Sequence, residues 1–132
     1  MLVFDHVGCL VDDIGKAIDE YSKFTISKIS ETYVIESQNV KVCFFGEVEF
    51  IQPLENSNLH KMIKKGMNFY HIAYKSDDFD NDINALVKNN YMIVSKPFNS
   101  SAFNNNLGVA LDFAARGGSL VDPSAVVHEC HI

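Results

Sequence analysis

Tryptophan is absent from these 132 residues, and cysteine and proline occur only three times each. The cysteines, Cys9, Cys43 and Cys130, are odd in number and form no CxxC pair. That count excludes a disulfide framework and a thiolate metal cage, and it fits a reducing, cytoplasmic setting. Cys9 and Cys43 lie in apolar, strand-like runs, where a buried thiol acts as a small hydrophobe. Positive charge is also scarce: 11 Lys and Arg against 17 Asp and Glu leave a formal charge of -6. Sequence-independent nucleic-acid binding needs clustered cations, so nucleic acid is not an expected partner. No apolar run approaches the roughly 18 residues of a membrane helix, and no basic start with a long apolar stretch marks a signal peptide.

What the chain does have is a repeat. Phe4-Asp5-His6-Val7-Gly8-Cys9-Leu10-Val11-Asp12-Asp13-Ile14 returns as Phe69-Tyr70-His71-Ile72-Ala73-Tyr74-Lys75-Ser76-Asp77-Asp78-Phe79, a shift of 65 residues. In each copy a histidine sits in an apolar run that reads as a strand, and an Asp-Asp pair precedes an amphipathic stretch that reads as a helix. A hydrophobic content of 47% supports a core, but each half of about 60 residues would bury little alone. One domain over residues 1–132 is therefore expected, with the modules paired within one chain or across a homodimer.

The first module, residues 1–54, reads as a strand over 3–11, a helix over 14–24 capped by Asp12 or Asp13, and strands within 26–36, 40–45 and 47–52. A linker, 55–66, carries a short helical stretch ending at Gly66. The second module, 67–123, reads as a strand over 69–75, a helix to about 89 capped by Asp77 or Asp78, and strands near 91–95, 108–114 and 118–122. Between the last three lies a polar loop, residues 99–106, without a counterpart in the first module. Residues 124–132 read as a frayed tail, so His128, Cys130 and His131 are set aside despite their ligand chemistry.

A lone histidine in a strand is ordinarily a hydrogen-bonded core residue. Two of them at matched positions in two like modules suggest one shared site, and that suits a metal. Acidic residues close both modules: Glu49 lies 43 residues after His6, and Asp122 lies 51 after His71, the excess matching the extra loop. Asp12, Asp13, Asp77 and Asp78 are better explained as helix caps.

This arrangement resembles the vicinal oxygen chelate superfamily, the glyoxalase, bleomycin resistance and dioxygenase proteins. The local sequence is most similar to methylmalonyl-CoA epimerase and small glyoxalase I-like proteins. The likeness rests on Phe4–Gly8, Val48–Pro53, Tyr70–Ala73 with Asp77-Asp78, and Gly118–Asp122. It implies an α+β fold of two tandem βαβββ modules forming a cupped, mostly antiparallel sheet. It also implies a metal held by His6, Glu49, His71 and Asp122. Two nitrogens and two oxygens suit Co²⁺, Mn²⁺, Ni²⁺, Fe²⁺ or Zn²⁺.

The family's pattern has glutamate followed by leucine where this chain has Asp122-Pro123, so the fourth ligand is one methylene shorter. The resemblance places the catalytic base at Glu36, or at a metal-bound carboxylate such as Asp122. The implied chemistry is an isomerase or lyase reaction that removes a proton alpha to a carbonyl, on a CoA or glutathione thioester. Lys61, Lys64 and Lys65 would meet CoA phosphates, although the same lysines read as an ordinary solvated helix face. Two other classes are open: a metal-free pocket protein of the antibiotic-sequestering kind, and an iron dioxygenase using His6, His71 and Asp122. His60, the available acid-base histidine for the latter, is poorly placed.

Overall fold

The computed structural model describes residues 1–93, 98–100, 106–113 and 124–129. It contains strands β1 (Leu2–Leu10), β2 (Tyr33–Ile35), β3 (Val40–Phe45) and β4 (Val48–Pro53) with helix α1 (Ile14–Tyr21) in the first module. Helix α2 (His60–Lys64) lies in the linker. The second module has β5 (Phe69–Ser76), α3 (Phe79–Lys88), β6 (Tyr91–Ile93), β7 (Phe98–Ser100), β8 (Asn106–Phe113) and β9 (Ser124–Glu129). The α+β class expected from the sequence is present, and the first module has the β-α-β-β-β plan, whereas in the second four described strands follow the helix. No helix among the described residues is long and apolar enough to cross a membrane.

The chain divides into two compact units whose boundaries differ from those of the sequence modules. One comprises Val7–Tyr70, the other Met1–His6 together with His71–Ile132. The first six residues join the second module because their side chains pack there. Leu2 lies against Ile83 with Phe79, Leu86 and Tyr91. Phe4 meets Tyr74 edge to face at 6.4 Å, and Lys75 Nζ approaches Asp5 Oδ1 at 3.4 Å.

In the Val7–Tyr70 unit the strand order is β2-β3-β4-β1. β3 runs antiparallel to β2 and β4, and β1 runs parallel to β4 with Gly8 opposite Glu49. Helix α1 starts where Asp13 Oδ1 accepts the Lys16 N–H at 2.9 Å and Gln52 Oε1 accepts the Ile14 N–H at 3.0 Å. Those two side chains satisfy donors that a helix start leaves without partners. Ile14 of α1 packs with Cys43, Phe45 and Phe50 in a core cluster, with Tyr21 and Ile18 of the same helix against it.

Within 26–36 only Tyr33–Ile35 forms a strand, with one isolated bridge between Ile29 and Phe45. The Ser30 backbone N–H still reaches the Phe44 carbonyl at 2.9 Å, while its hydroxyl takes the Phe44 N–H at 2.8 Å, a side-chain bond in place of a ladder bond. At the β3–β4 turn Gly46 has φ +60°, and a Cβ there would stand 3.0 Å from Ser27 Oγ. Gly46→Ala is therefore expected to cost about 1–3 kcal/mol, the strain of a non-glycine residue at positive φ. Urea denaturation would show this as a lower midpoint with an unchanged slope, whereas an unchanged midpoint would mean that the turn relaxes.

The other unit has the order β1-β5-β9-β8-β6, with β7 also on β8. The N-cap of α3 is Asp78, one of the two expected aspartates, but its side chain makes no capping bond; the Ser76 hydroxyl accepts the Asp78 N–H at 3.2 Å and donates to Asp82 Oδ2 at 2.6 Å. Two sequence expectations are corrected here. Phe98–Ser100 is a strand paired with Asn106–Gly108, so the polar stretch 99–106 begins and ends in a ladder. Ser124–Glu129 is a strand and not a frayed tail, pairing in parallel with β5 and antiparallel with β8. Position near a chain end argued for fraying, but two flanking strands accept the backbone of the β-branched Val126-Val127 run. The expected strand over 118–122 lies outside the described residues, as do Cys130 and His131.

Candidate metal centre

Alternation along β1 turns His6, Gly8 and Leu10 to one buried face. The same period in β5 buries His71 and Ala73. His6 is 1% exposed and His71 7%. Their rings meet edge to face, centroids 5.3 Å apart, and the two Nε2 atoms face each other at 3.2 Å. The repeat thus brings its two matched imidazoles into contact within one compact unit.

That spacing can be tested against metal geometry. Two nitrogens each about 2.1 Å from one ion lie about 3.0 Å apart at a right angle and about 3.4 Å apart at a tetrahedral angle. The observed 3.2 Å falls between these values. The pair already holds the separation of two adjacent metal ligands.

Asp5, which the sequence reading passed over, is bound to this pair. Its Oδ2 lies 2.6 Å from His6 Nδ1, and Lys75 Nζ stands 3.4 Å from its other oxygen. The hydrogen bond from His6, with desolvation opposing it and Lys75 adding a smaller attraction, holds the Asp5 carboxyl below the usual carboxylate range. A carboxylate only accepts, so His6 donates to Asp5 through Nδ1–H. The signal available in the sequence was the Asp5-His6 dipeptide, but neighbours on a strand ordinarily point to opposite faces, and periodicity alone hides the contact.

Glu49, in the Val7–Tyr70 unit, is 3% exposed on β4, opposite Gly8 and so two residues along β1 from His6. A carboxylate this deep needs a compensating charge or hydrogen bonds. Cys9 and Glu49 interact unfavourably: burial first, and the Glu49 carboxylate second, push the Cys9 thiol up. Cys9 therefore stays a thiol and adds no thiolate to the donor set. His6 and His71 in their unit, and Glu49 in its own, are buried residues of metal-ligand type.

The remaining sequence candidates are placed differently. Glu36 is exposed on a single 3₁₀ turn just past β2. By register it lies beyond Val40, whereas Glu49 is opposite Phe44, so their backbones are separated by at least ~13 Å along the strands. Asp122 lies outside the described residues. The position of β9 that matches Glu49, opposite Ala73 two residues past His71, is Val126. Glu129, the carboxylate of β9, pairs with Ser76, roughly 16 Å further along β5 than His71. His60 points its Nε2–H at the Leu54 carbonyl, 2.9 Å away, and is exposed, which removes it as an acid-base group. Lys61, Lys64 and Lys65 are exposed on and just after α2.

Known proteins share the sequence pattern and the fold of this chain. The family model described as Glyoxalase/Bleomycin resistance protein/Dioxygenase superfamily matches residues 5–110. No curated protein sequence matches significantly. Among solved structures, a hypothetical protein of Bacillus halodurans superposes with a TM-score of 0.81 at 23% identity, over 99% of this chain and 96% of that one. Methylmalonyl-CoA epimerase of Mycobacterium tuberculosis gives 0.77 at 20% identity, over 98% and 88%. A methylmalonyl-CoA epimerase in complex with methylmalonyl-CoA and NH4+ gives 0.75 at 18% identity, over 96% and 92%. At these identities the solved structures establish the fold.

Proposed function

Because the chain belongs to the Glyoxalase/Bleomycin resistance protein/Dioxygenase superfamily, we propose that it is a divalent-metal-dependent isomerase or lyase that removes a proton alpha to a thioester carbonyl, in the manner of a methylmalonyl-CoA epimerase. The ligands in this proposal are His6, Glu49, His71 and Asp122, the set that the family resemblance implies. The observation that carries the reading is the pair of matched imidazoles whose Nε2 atoms lie 3.2 Å apart. The thioester class is favoured by fold neighbours solved with methylmalonyl-CoA or with 2-nitronate-propionyl-CoA.

When bound, the ion supplies Lewis acidity to a substrate carbonyl oxygen. The chain supplies the rest. Imidazole and carboxylate donors around a buried centre restrict water, and Asp5 sets the proton on His6 so that its Nε2 is open. A carboxylate must take the C–H proton, within hydrogen-bond reach and with a pKa near working pH. Glu36 is the candidate carried from the sequence, and Glu49 is the buried alternative. The cations for CoA phosphates are Lys61, Lys64 and Lys65. The protein acts as a cytoplasmic homodimer.

The test is proton exchange. Co²⁺-loaded protein is incubated in D₂O with methylmalonyl-CoA, and separately with a glutathione hemithioacetal, and deuterium incorporation is followed by NMR. Exchange on the CoA thioester, lost on chelation, is expected. Turnover of the hemithioacetal alone would move the protein to the glyoxalase I-like lyases, and tight metal binding with neither reaction would make it a small-molecule binding protein. Glu36→Gln is expected to lower exchange by at least ~100-fold if Glu36 is the base, on the usual contribution of a general base. Retained exchange would transfer that role to another carboxylate.

A further inference from the structure

We propose that Asp5 is a positioning residue for the metal centre: it holds His6 in the tautomer whose Nε2 can bind an ion. The inference rests on the metal reading above but concerns a residue outside the ligand set. Three observations support it. Asp5 Oδ2 accepts from His6 Nδ1 at 2.6 Å, the short range of a charge-assisted bond. Lys75 Nζ anchors the other carboxylate oxygen at 3.4 Å, so the carboxylate is fixed from both sides. The His6 ring is 1% exposed and sits edge to face on His71, which leaves it little room to turn.

Asp5, Lys75 and the ring of His6 thus form a chain that ends at the Nε2 facing His71. A metal-bound histidine whose second nitrogen donates to a carboxylate is both oriented and made a stronger base. In this arrangement His6 is held with its Nε2 lone pair facing His71.

Two readouts test the role. Imidazole ¹⁵N shifts of the metal-free protein should show His6 as a single Nδ1–H tautomer, and Asp5→Ala should turn it into a mixture. Co²⁺ titration by calorimetry should show affinity about 10–100-fold weaker in Asp5→Ala, the usual effect of removing such an outer carboxylate. Asp5→Asn, which keeps an acceptor without the charge, should fall between. It also carries the test if the alanine variant does not fold. A wild-type protein that binds Co²⁺ alongside an Asp5→Ala variant of equal affinity and unchanged tautomer would overturn the role alone. A wild-type protein that binds no Co²⁺ would overturn the metal centre, and the role of Asp5 with it.

Discussion

Replacing His71 with alanine is expected to strip the protein of divalent metal. Outer-sphere partners are worth about 10–100-fold in affinity, and a direct ligand should exceed that, so Co²⁺ binding should weaken by more than ~100-fold. The matched change His6→Ala should do the same, because the two Nε2 atoms 3.2 Å apart are proposed to hold one ion. Measured together, the variants distinguish one shared centre from two independent imidazoles: metal per chain should fall from about one to near zero in both, and not by halves. Metal retained by either variant would show that the histidine pair is a core contact. Asp122→Ala belongs in the same series, since retained affinity there would make the protein-derived set three ligands, leaving more positions for water or substrate oxygens.

Phe50→Ala should be the most damaging single change to the fold. Phe50 is 0% exposed, with Tyr21 edge to face at 4.9 Å and Phe45 at 6.0 Å. Truncating a buried phenylalanine costs about 3–5 kcal/mol through lost burial and the cavity left behind. Against a typical total of about 5–15 kcal/mol this leaves a marginal protein, with Tm lower by roughly 10–20 °C. Thermal melting followed by circular dichroism would measure it. Ile26→Ala is the control: Ile26 is 97% exposed, and its loss should stay within about 0.5 kcal/mol. Phe50 also follows Glu49 on β4, so a cavity there should disturb the carboxylate and weaken Co²⁺ binding. Loss of stability comparable to the Ile26→Ala control would show that the core refills around the missing ring.

The parts of the molecule legible beforehand are those written in local pattern. The helix start at Asp13, the turn at Gly46 and β3 over Val40–Phe45 follow from capping chemistry, positive φ and alternation. Misreadings occurred where distant chain decided the outcome. At Ser30 a side-chain bond to Phe44 stands in for one ladder bond. β9 exists because β5 and β8 flank it, not because of anything in residues 124–129 alone. Asp5 was hidden for the same reason, since its partners His6 and Lys75 are brought to it by β1 and β5.

The 65-residue repeat by itself determined that two histidines occupy equivalent strand positions, and with them the α+β plan, because strand and helix periods are properties of short segments. Only the tertiary structure decided that Met1–His6 pack with the second module. It alone set the separation and orientation of the two rings, and it placed a carboxylate and a lysine behind one of them. Those relations depend on pairing and burial between segments far apart in the chain, and no local pattern of residues encodes a distance.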